Sequence, residues 1–197
     1  NLSPETLLKS KNQNINVDDM LEKTKLNLIE KTTMTPNGAL FKTNKQGFLP
    51  AMMQELYNDR VIYKKKMLQA QQDYEDTKDE KYVKLISRYN NIQMARKISL
   101  NSAYGAIGNQ WFRYYDIAIA EGITTSGQLS IRWIENKVNN YLNKILDTND
   151  KDYVIASDTD SIYITLDELV SRVKPKNPVE FLNKVATEKL EPFIDDS

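Results

Sequence analysis

Two long helical patterns separated by one short polar break constrain the fold of this chain more than any other feature. Apolar side chains recur at spacings of three and four residues over residues 50–76 and again over residues 80–105. A short polar connection between two such helices predicts an antiparallel helical hairpin. The apolar stripes are Leu56, Tyr63 and Met67 on the first helix and Leu85, Tyr89 and Ile92 on the second.

The charge of this hairpin is uneven along its length, with basic residues toward the open end. The residues at its tip are acidic: Asp73, Glu75, Asp76, Asp79 and Glu80. If the chain reverses near Thr77, Arg60 lies across from about Met94. Lys97 then lies one turn closer to the open end. Because Arg60 interrupts the apolar stripe, it should face the second helix. Arg60, Lys64 and Lys97 should therefore converge, and such a cluster suits a compact polyanion such as a nucleoside triphosphate.

The end of the second helix presents a row of polar side chains. Lys97, Asn101 and Tyr104 follow each other at i, i+4 and i+7, so they share one face of the helix. A cation, an amide and a phenol in one row suit a target with a phosphate, a sugar or base edge, and a flat ring. The alternative is a solvated helix face that ends at Gly105. Lys65, on the first helix, is best interpreted as an ordinary surface lysine.

A second candidate site lies between two short runs rich in β-branched residues, 153–157 and 161–166. Such runs predict a β-hairpin, and its turn would hold Asp158, Thr159 and Asp160. Aspartate is common in turns for reasons unrelated to function. Two carboxylates at i and i+2 repel each other, however, unless a cation lies between them. These residues therefore leave two interpretations open, an ordinary polar turn and a metal site with Asp158 and Asp160 as ligands.

The composition restricts the chemistry that such sites could perform. The chain of 197 residues contains no cysteine and no histidine. Disulfides, thiol nucleophiles and the usual zinc ligands are therefore excluded. A metal site made of carboxylates alone points to Mg²⁺. The formal net charge is zero, which is unusual for a protein that binds nucleic acid. No apolar run is long enough to cross a bilayer, so we expect no membrane partner.

Together the two polar strings resemble motifs of the family B DNA polymerases. Residues 97–105 follow the pattern KxxxNSxYG of motif B, and residues 158–161 read DTDS, as motif C does. Residues 109–116 and the interval between the motifs, which leaves room for one long helix, strengthen the resemblance. It points in particular to the replicative polymerases of the T-even phages. The resemblance covers nearly the whole chain but only a fraction of such a polymerase.

The resemblance implies that the chain takes part in adding deoxynucleoside triphosphates (dNTPs) to a primer by two-metal phosphoryl transfer. Asp160 would be a catalytic ligand of the two Mg²⁺ ions, and Asp158 would support the same metal site. Lys97 would neutralise the triphosphate and could protonate the departing pyrophosphate, so it too would be catalytic.

The remaining site residues are implied by the same resemblance. Arg60 and Lys64 match the RxxxK pair of the fingers, which contacts the incoming triphosphate. Asn101 would bind the nucleotide beside them. Tyr104 would line the nascent base pair, and Gly105 would let the template base approach closely.

We expect an α+β fold in which a long antiparallel helical hairpin is attached to a partial polymerase palm. That palm would contain a short antiparallel sheet and a long core helix. Residues 1–49 would form a segment close to the palm with a β-hairpin, turning at residues 35–38. Residues 50–105 would form the fingers, and residues 106–197 the partial palm with motif C.

Three further helices are predicted. The apolar spacing over residues 117–146 predicts the long core helix, with core positions at Ala120, Ile123, Gly127, Ile131, Ile134, Val138, Tyr141, Leu142 and Ile145. A short helix is possible over residues 17–26. Near the end, Asn177 should cap a helix over residues 179–190, which Glu191 and Pro192 should interrupt.

The motif A aspartate, which would complete the metal site, is not found in the chain. Residues 1–6 resemble the segment that follows motif A in the phage enzymes. We therefore expect a piece of a longer polymerase with little or no activity alone. One alternative is half of a split polymerase that is active with a partner chain. Another is a non-catalytic helical module that binds a partner through the acidic tip.

The resemblance also implies partners and a location. Primer–template DNA and dNTPs would be bound, together with the remaining polymerase segments and a sliding clamp. The protein would be viral and would act in the cytoplasm of a bacterial host.

Overall fold

The computed structural model describes residues 1–9, 15–22 and 28–196. These residues form an α+β fold with long helices and two small antiparallel sheets, as predicted. The chain divides into two compact units. Unit 1 comprises Asn1–Asn16 with Lys25–Thr124, and unit 2 comprises Val17–Thr24 with Thr125–Ser197. Within the described part of the chain, no helix combines the length and apolar character that a membrane span needs.

A three-stranded antiparallel sheet lies in unit 1. Its strands β1 (Leu7–Lys9), β2 (Thr32–Met34) and β3 (Leu40–Lys42) are arranged in the order β1-β3-β2. The predicted turn between β2 and β3 is confirmed, since Gly38 has a φ of 79° and its N–H donates to the Thr35 carbonyl (2.8 Å).

The predicted helical hairpin consists of α2 (Phe48–Thr77) and α3 (Lys81–Ile107). Pro50 lies in the first turn of α2, where its missing N–H is harmless. The helix ends where Lys78 adopts a left-handed φ of 55° and its N–H donates to the Tyr74 carbonyl (2.7 Å).

Two contacts between these helices confirm the predicted register. The rings of Tyr63 and Tyr89 lie 6.2 Å apart between centroids, and Arg96 Nε donates to the Asp59 carboxylate over 3.1 Å. Both pairings agree with a reversal of the chain near Thr77. The residues of both apolar stripes are half-buried, as the pattern predicts.

The long helix α4 (Ile117–Leu146) has the predicted limits and contributes to the cores of both units. Its first turn packs in unit 1, where the core is Ala39, Phe41, Leu49, Ile107, Ala118, Ile119 and Ala120. Its last turns pack in unit 2, where the core is Val138, Leu142, Leu146, Tyr153, Val154 and Leu190.

Three of the core positions predicted on α4 are wrong. Ile123 is 38% exposed and Ile145 is 53% exposed, and Gly127 is also exposed. Periodicity identifies a face of a helix, but a side chain on that face is buried only where another element covers it. In unit 2 the covering residues pack instead on Val138, Leu142 and their neighbours.

Unit 2 also contains the hairpin of β4 (Val154–Asp158) and β5 (Ser161–Ile164), close to the predicted limits. A short helix, α5 (Asp167–Val173), was not predicted. The predicted helix over residues 17–26 is α1 (Val17–Leu21), and residues 23–27 lie outside the described part of the chain.

The last helical region corrects one expectation. Asn177 caps α6 (Pro178–Val185) as predicted, since its side chain accepts from Glu180 N–H. Glu191 and Pro192 do not end the helical path. A π-helical segment (Ala186–Leu190) leads directly into α7 (Glu191–Asp195). The wider π turn accommodates a proline ring that would clash with the i−4 carbonyl of an α-helix.

Candidate nucleotide and metal sites

The start of α2 is anchored by the first residues of the chain. Glu5 accepts from the Phe48 N–H (2.5 Å), Asn1 Oδ1 accepts from the Gly47 N–H (2.7 Å), and Ser3 Oγ accepts from the Leu49 N–H (3.4 Å). These acceptors satisfy donors that the first turn of a helix cannot satisfy itself. The sequence did not predict this anchor, because its partners are more than 40 residues apart.

The anchor also changes the acidity of Glu5. Partial desolvation acts to raise the pKa of this carboxyl group. Hydrogen bonds from the Ser3 hydroxyl and the Phe48 N–H, together with the charge of Lys45, outweigh desolvation and lower the pKa below its ordinary 4.5. The base of the helical hairpin is therefore held by an ionised carboxylate.

Farther along the hairpin lie the three predicted phosphate-binding cations, Arg60, Lys64 and Lys97. Lys64 and Lys97 are exposed and Arg60 is half-buried. Among the described residues, none of the three forms an ion pair. Asp59, the residue next to Arg60, forms an ion pair with Arg96 instead. The three cations can therefore accept an anionic ligand without first releasing a protein partner.

Arg60 differs from the two lysines in its burial. Its Nε is buried, and among the described residues it has no hydrogen-bond partner. A buried donor without an acceptor costs about 1–3 kcal/mol. A phosphate oxygen would satisfy such a donor with a charge-assisted hydrogen bond.

The polar row on α3 is exposed as predicted, at Lys97, Asn101 and Tyr104. Gly105 does not end the helix, because α3 continues to Ile107, which is buried in the core of unit 1. Apart from its chain neighbours and the adjacent backbone of its own helix, a methyl group built on Gly105 would meet no described atom within 4 Å. The surface beside Gly105 is therefore open to a ligand.

A run of aromatic residues follows α3. Trp111 is 86% exposed, and Phe112, Tyr114 and Tyr115 are also exposed. The rings of Phe112 and Tyr114 lie 5.7 Å apart, and the Arg113 guanidinium lies 5.7 Å from the Tyr114 ring. Exposed rings beside an arginine form a surface on which bases can stack. In the sequence, the density of aromatic residues in this run is the feature that could have indicated such a surface.

In unit 2, the turn of the β4–β5 hairpin holds both predicted metal ligands. Asp158 ends β4 and Asp160 lies in the turn, and both side chains are exposed. Asp160 N–H donates to the Asp158 carbonyl (2.6 Å) across Thr159, whose φ is 54°. This is a γ-turn with a positive φ, which is strained for a β-branched residue.

The side chains of this turn make short-range hydrogen bonds. Thr159 Oγ1 donates to Asp158 Oδ1 (3.0 Å), and Ser161 Oγ donates to Asp160 Oδ1 (3.4 Å). Two exposed carboxylates suit a hard cation such as Mg²⁺. Among the described residues, however, no group of three or more Asp, Glu, His or Cys side chains is arranged to hold a metal ion. The donor set fits the cation but is incomplete.

The start of β4 is attached to α4 by a side chain that we did not predict. Asn139 Oδ1 accepts from the N–H groups of Tyr153 (2.9 Å) and Val154 (3.2 Å). Tyr153 is buried, and its hydroxyl lies 2.8 Å from Thr148 Oγ1. These contacts hold the strand that leads to Asp158.

Comparison with known proteins identifies the family. The model for DNA polymerase family B matches residues 1–188. The DNA-directed DNA polymerase of Enterobacteria phage T4 is 35% identical, and that of Escherichia phage RB69 is 34% identical. Both similarities cover 82% of this chain and 23% of the relative. DNA polymerase beta of African swine fever virus (isolate Tick/Malawi/Lil 20-1/1983) is 30% identical over 62% of this chain and 10% of the relative. The chain therefore spans less than a quarter of the length of these relatives.

Proposed function

Because the chain belongs to DNA polymerase family B, we propose that it supplies the fingers and part of the palm of a DNA-directed DNA polymerase. Residues 50–105 are the fingers in this proposal, and residues 1–49 and 106–197 belong to the palm. The reaction is the addition of dNTPs to a primer 3′ end by two-metal phosphoryl transfer. The observation that supports it most directly is the buried Nε of Arg60, which has no hydrogen-bond partner in the described part of the chain and lies on the helix that pairs with motif B.

The helical hairpin binds the incoming nucleotide in this proposal. Arg60, Lys64 and Lys97 contact the triphosphate, and Asn101 contacts the sugar or base edge. Lys97 also donates a proton to the departing pyrophosphate, which makes it a better leaving group. Tyr104 checks the shape of the nascent base pair.

The DNA contacts follow from the open surfaces of unit 1. Gly105 leaves room for the template base. The exposed run of aromatic residues around Trp111 offers stacking surfaces to the template strand. Neither contact reads the base sequence directly.

Asp160 and Asp158 are the metal ligands in this proposal. Bound Mg²⁺ ions would activate the primer hydroxyl and neutralise the charge of the leaving group. The two carboxylates in this turn repel each other, and a cation removes that repulsion. A complete site needs a carboxylate from another segment, which the remaining polymerase segments would supply.

Primer extension and nucleotide titration test this function. With Mg²⁺, primer and template, this chain alone should give little or no extension because its donor set is incomplete. It should still bind a dNTP weakly, and Arg60→Ala or Lys97→Ala should each weaken binding about tenfold or more. Lys65→Ala, on the same helical hairpin, is the matched control and should change binding little. Robust extension by the chain alone would contradict the incomplete site, and unchanged binding in both variants would contradict the triphosphate role.

A non-catalytic module that binds through the acidic tip receives less support. Lys78 pairs with Glu75, and Lys81 pairs with Asp79 (2.9 Å), so part of the negative charge is neutralised within the tip. A split polymerase remains a candidate, and a partner chain that restores extension would identify it. The phage relatives favour a viral protein that acts in a bacterial cytoplasm, and a sliding clamp is a further proposed partner.

A further inference from the structure

The ion pair between Asp59 and Arg96 joins the two helices beside the residues to which the triphosphate is assigned. Asp59 directly precedes Arg60 on α2, and Arg96 directly precedes Lys97 on α3. The Arg96 Nε lies 3.1 Å from Asp59 Oδ2, and each side chain is 39% exposed. A change in the alignment of these two residues would therefore move Arg60 relative to Lys97.

Near Asp59 and Arg96 the interface between α2 and α3 is polar, so apolar packing alone does not determine the register of the two helices. On α2, Arg60 interrupts the apolar stripe. On α3, Gln93 is buried and donates to Asn90 Oδ1 (2.9 Å). Polar and charged pairs can specify the register of neighbouring helices where apolar contacts are permissive.

The pair is poorly suited to a purely stabilising role. Half-exposed ion pairs contribute little to global stability because solvent screens them and ordering the side chains has an entropic cost. A carboxylate beside the proposed phosphate ligands also lowers the positive potential that attracts an anion. Alignment of the two helices would outweigh this electrostatic disadvantage.

We propose that Asp59 and Arg96 are positioning residues, whose ion pair holds Arg60 and Lys64 of α2 in a fixed register with Lys97 and Asn101 of α3. This inference rests on the proposed nucleotide site and adds two residues to it. It makes a prediction whose sign differs from that of simple electrostatics. If Asp59 acted only as a nearby negative charge, removing that charge would strengthen phosphate binding. If it aligns the helices, removing it weakens binding.

Calorimetric titration of the full chain with inorganic tripolyphosphate at constant ionic strength shows whether removing the Asp59 charge strengthens or weakens binding. Asp59→Asn and Arg96→Gln should each weaken binding about five- to tenfold, because small displacements of binding groups have large effects. Glu55→Gln is the matched control, since it removes one exposed negative charge from α2 and leaves the ion pair intact. The exchange Asp59→Arg with Arg96→Asp keeps the local charge and should restore binding to within about twofold of the original chain.

A second readout separates alignment from a general loss of structure. The chain has no cysteine, so cysteines introduced at the exposed positions Gln71 and Ser87 can carry two spin labels. Asp59→Asn should shift or broaden the distance distribution between the labels. Dissociation constants are calculated for the folded fraction of the protein, which circular dichroism measures. If the ion pair only stabilised the fold, these corrected constants would not change.

The outcomes distinguish the positioning role from the nucleotide site itself. Equal or tighter binding by Asp59→Asn, while Arg60→Ala weakens binding, would overturn the positioning role alone. If Arg60→Ala also left binding unchanged, both the positioning role and the proposed nucleotide site would be overturned. Weaker binding by Asp59→Asn with recovery in the exchanged pair would support the inference.

Discussion

The helical hairpin of unit 1 and the strand hairpin of unit 2 assemble their charged groups in opposite ways. In the α2–α3 hairpin, Arg60 and Lys97 come from different helices, and only the register of the helices brings them to one level. In the β4–β5 hairpin, Asp158 and Asp160 are neighbours in a single turn. A string of four residues is therefore enough to predict the second candidate site, whereas the prediction of the first depends on two strings and on the contacts that align them.

The two hairpins share one property. Each contains, at its candidate site, a residue whose type is unfavourable for the local backbone conformation. Gly105 lies inside a helix, where glycine is a poor helix former, and Thr159 has a φ of 54°. Residues that oppose local preference are expected at functional positions, where stability is not the only requirement.

The largest expected effect concerns the anchor of the strand hairpin. Tyr153 is 1% exposed and packs with Val138 and Leu142 in the core of unit 2. Tyr153→Ala should lower the free energy of unfolding by about 3–5 kcal/mol, since it leaves a cavity. Urea denaturation measures the change. Tripolyphosphate binding by the folded protein should persist, because we assign it to the helical hairpin.

The matched control is Tyr163→Ala, because Tyr163 lies on β5 of the same hairpin but is 56% exposed. Its effect should stay below about 1 kcal/mol. Equal losses in the two variants would show that the core contacts of Tyr153 do not anchor this hairpin.

The base of the helical hairpin should be the next most sensitive position. A methyl group at Gly47 would lie 2.5 Å from Ser3 Cβ, so Gly47→Ala should destabilise the protein by about 1–3 kcal/mol. Apart from its chain neighbours and the adjacent backbone of its own helix, a methyl group at Gly127 in α4 would meet no described atom within 4 Å, and alanine is the better helix former. Gly127→Ala should therefore stabilise the protein by up to about 1 kcal/mol. If thermal unfolding showed that Gly47→Ala is not destabilising, the anchor of α2 would be less tightly packed than its contacts indicate.

Much of the architecture could be predicted because it depends on local pattern. Apolar periodicity and a short polar break were enough for the helical hairpin, and the limits of α4 agree with prediction. The turn at Gly38 follows from the conformational freedom of glycine. Motif C could be assigned to a turn because both flanking runs favour strands.

The rest depends on contacts that no local pattern contains. Nothing near Glu5 in the sequence indicates that it caps a helix beginning at Phe48. Arg96 pairs with Asp59 on the other helix, 37 residues away, and no local pattern around either residue indicates that pairing. The burial of α4 depends on which elements cover it, which is why Ile145 was assigned wrongly.

Gly105→Ala should separate stability from function in the helical hairpin. The substitution should stabilise the protein by about 0.5–1 kcal/mol, since the position is open and lies inside α3. The proposed template contact requires the same open space, so affinity for primer–template DNA should fall. Thermal unfolding and fluorescence anisotropy measure the two changes. A gain in stability with unchanged DNA affinity would show that the template does not approach Gly105.

Thr159→Asn offers the corresponding test in the strand hairpin. Asparagine tolerates a positive φ better than a β-branched residue does, so unfolding should become less favourable by up to about 1 kcal/mol. The hydrogen bond from Thr159 to Asp158 would be lost, which reduces the gain. Thr165→Asn, at a position without a positive φ, should give no gain. If the two variants behaved alike in urea denaturation, the backbone of the turn would not be strained.

The smallest expected effect is a dependence of stability on pH at the base of the helical hairpin. The pKa of Glu5 in the folded chain is below its ordinary 4.5, so the ionised carboxylate stabilises the folded state. This contribution is present above pH 4.5 and is lost as the pH falls through the lower pKa of the folded state. Glu5→Gln should reduce stability at neutral pH by less than about 1 kcal/mol, because the group is exposed to solvent. The difference between the two proteins should disappear in acid, and a difference that grew as the pH fell would show that the carboxylate does not hold the start of α2 in its ionised form.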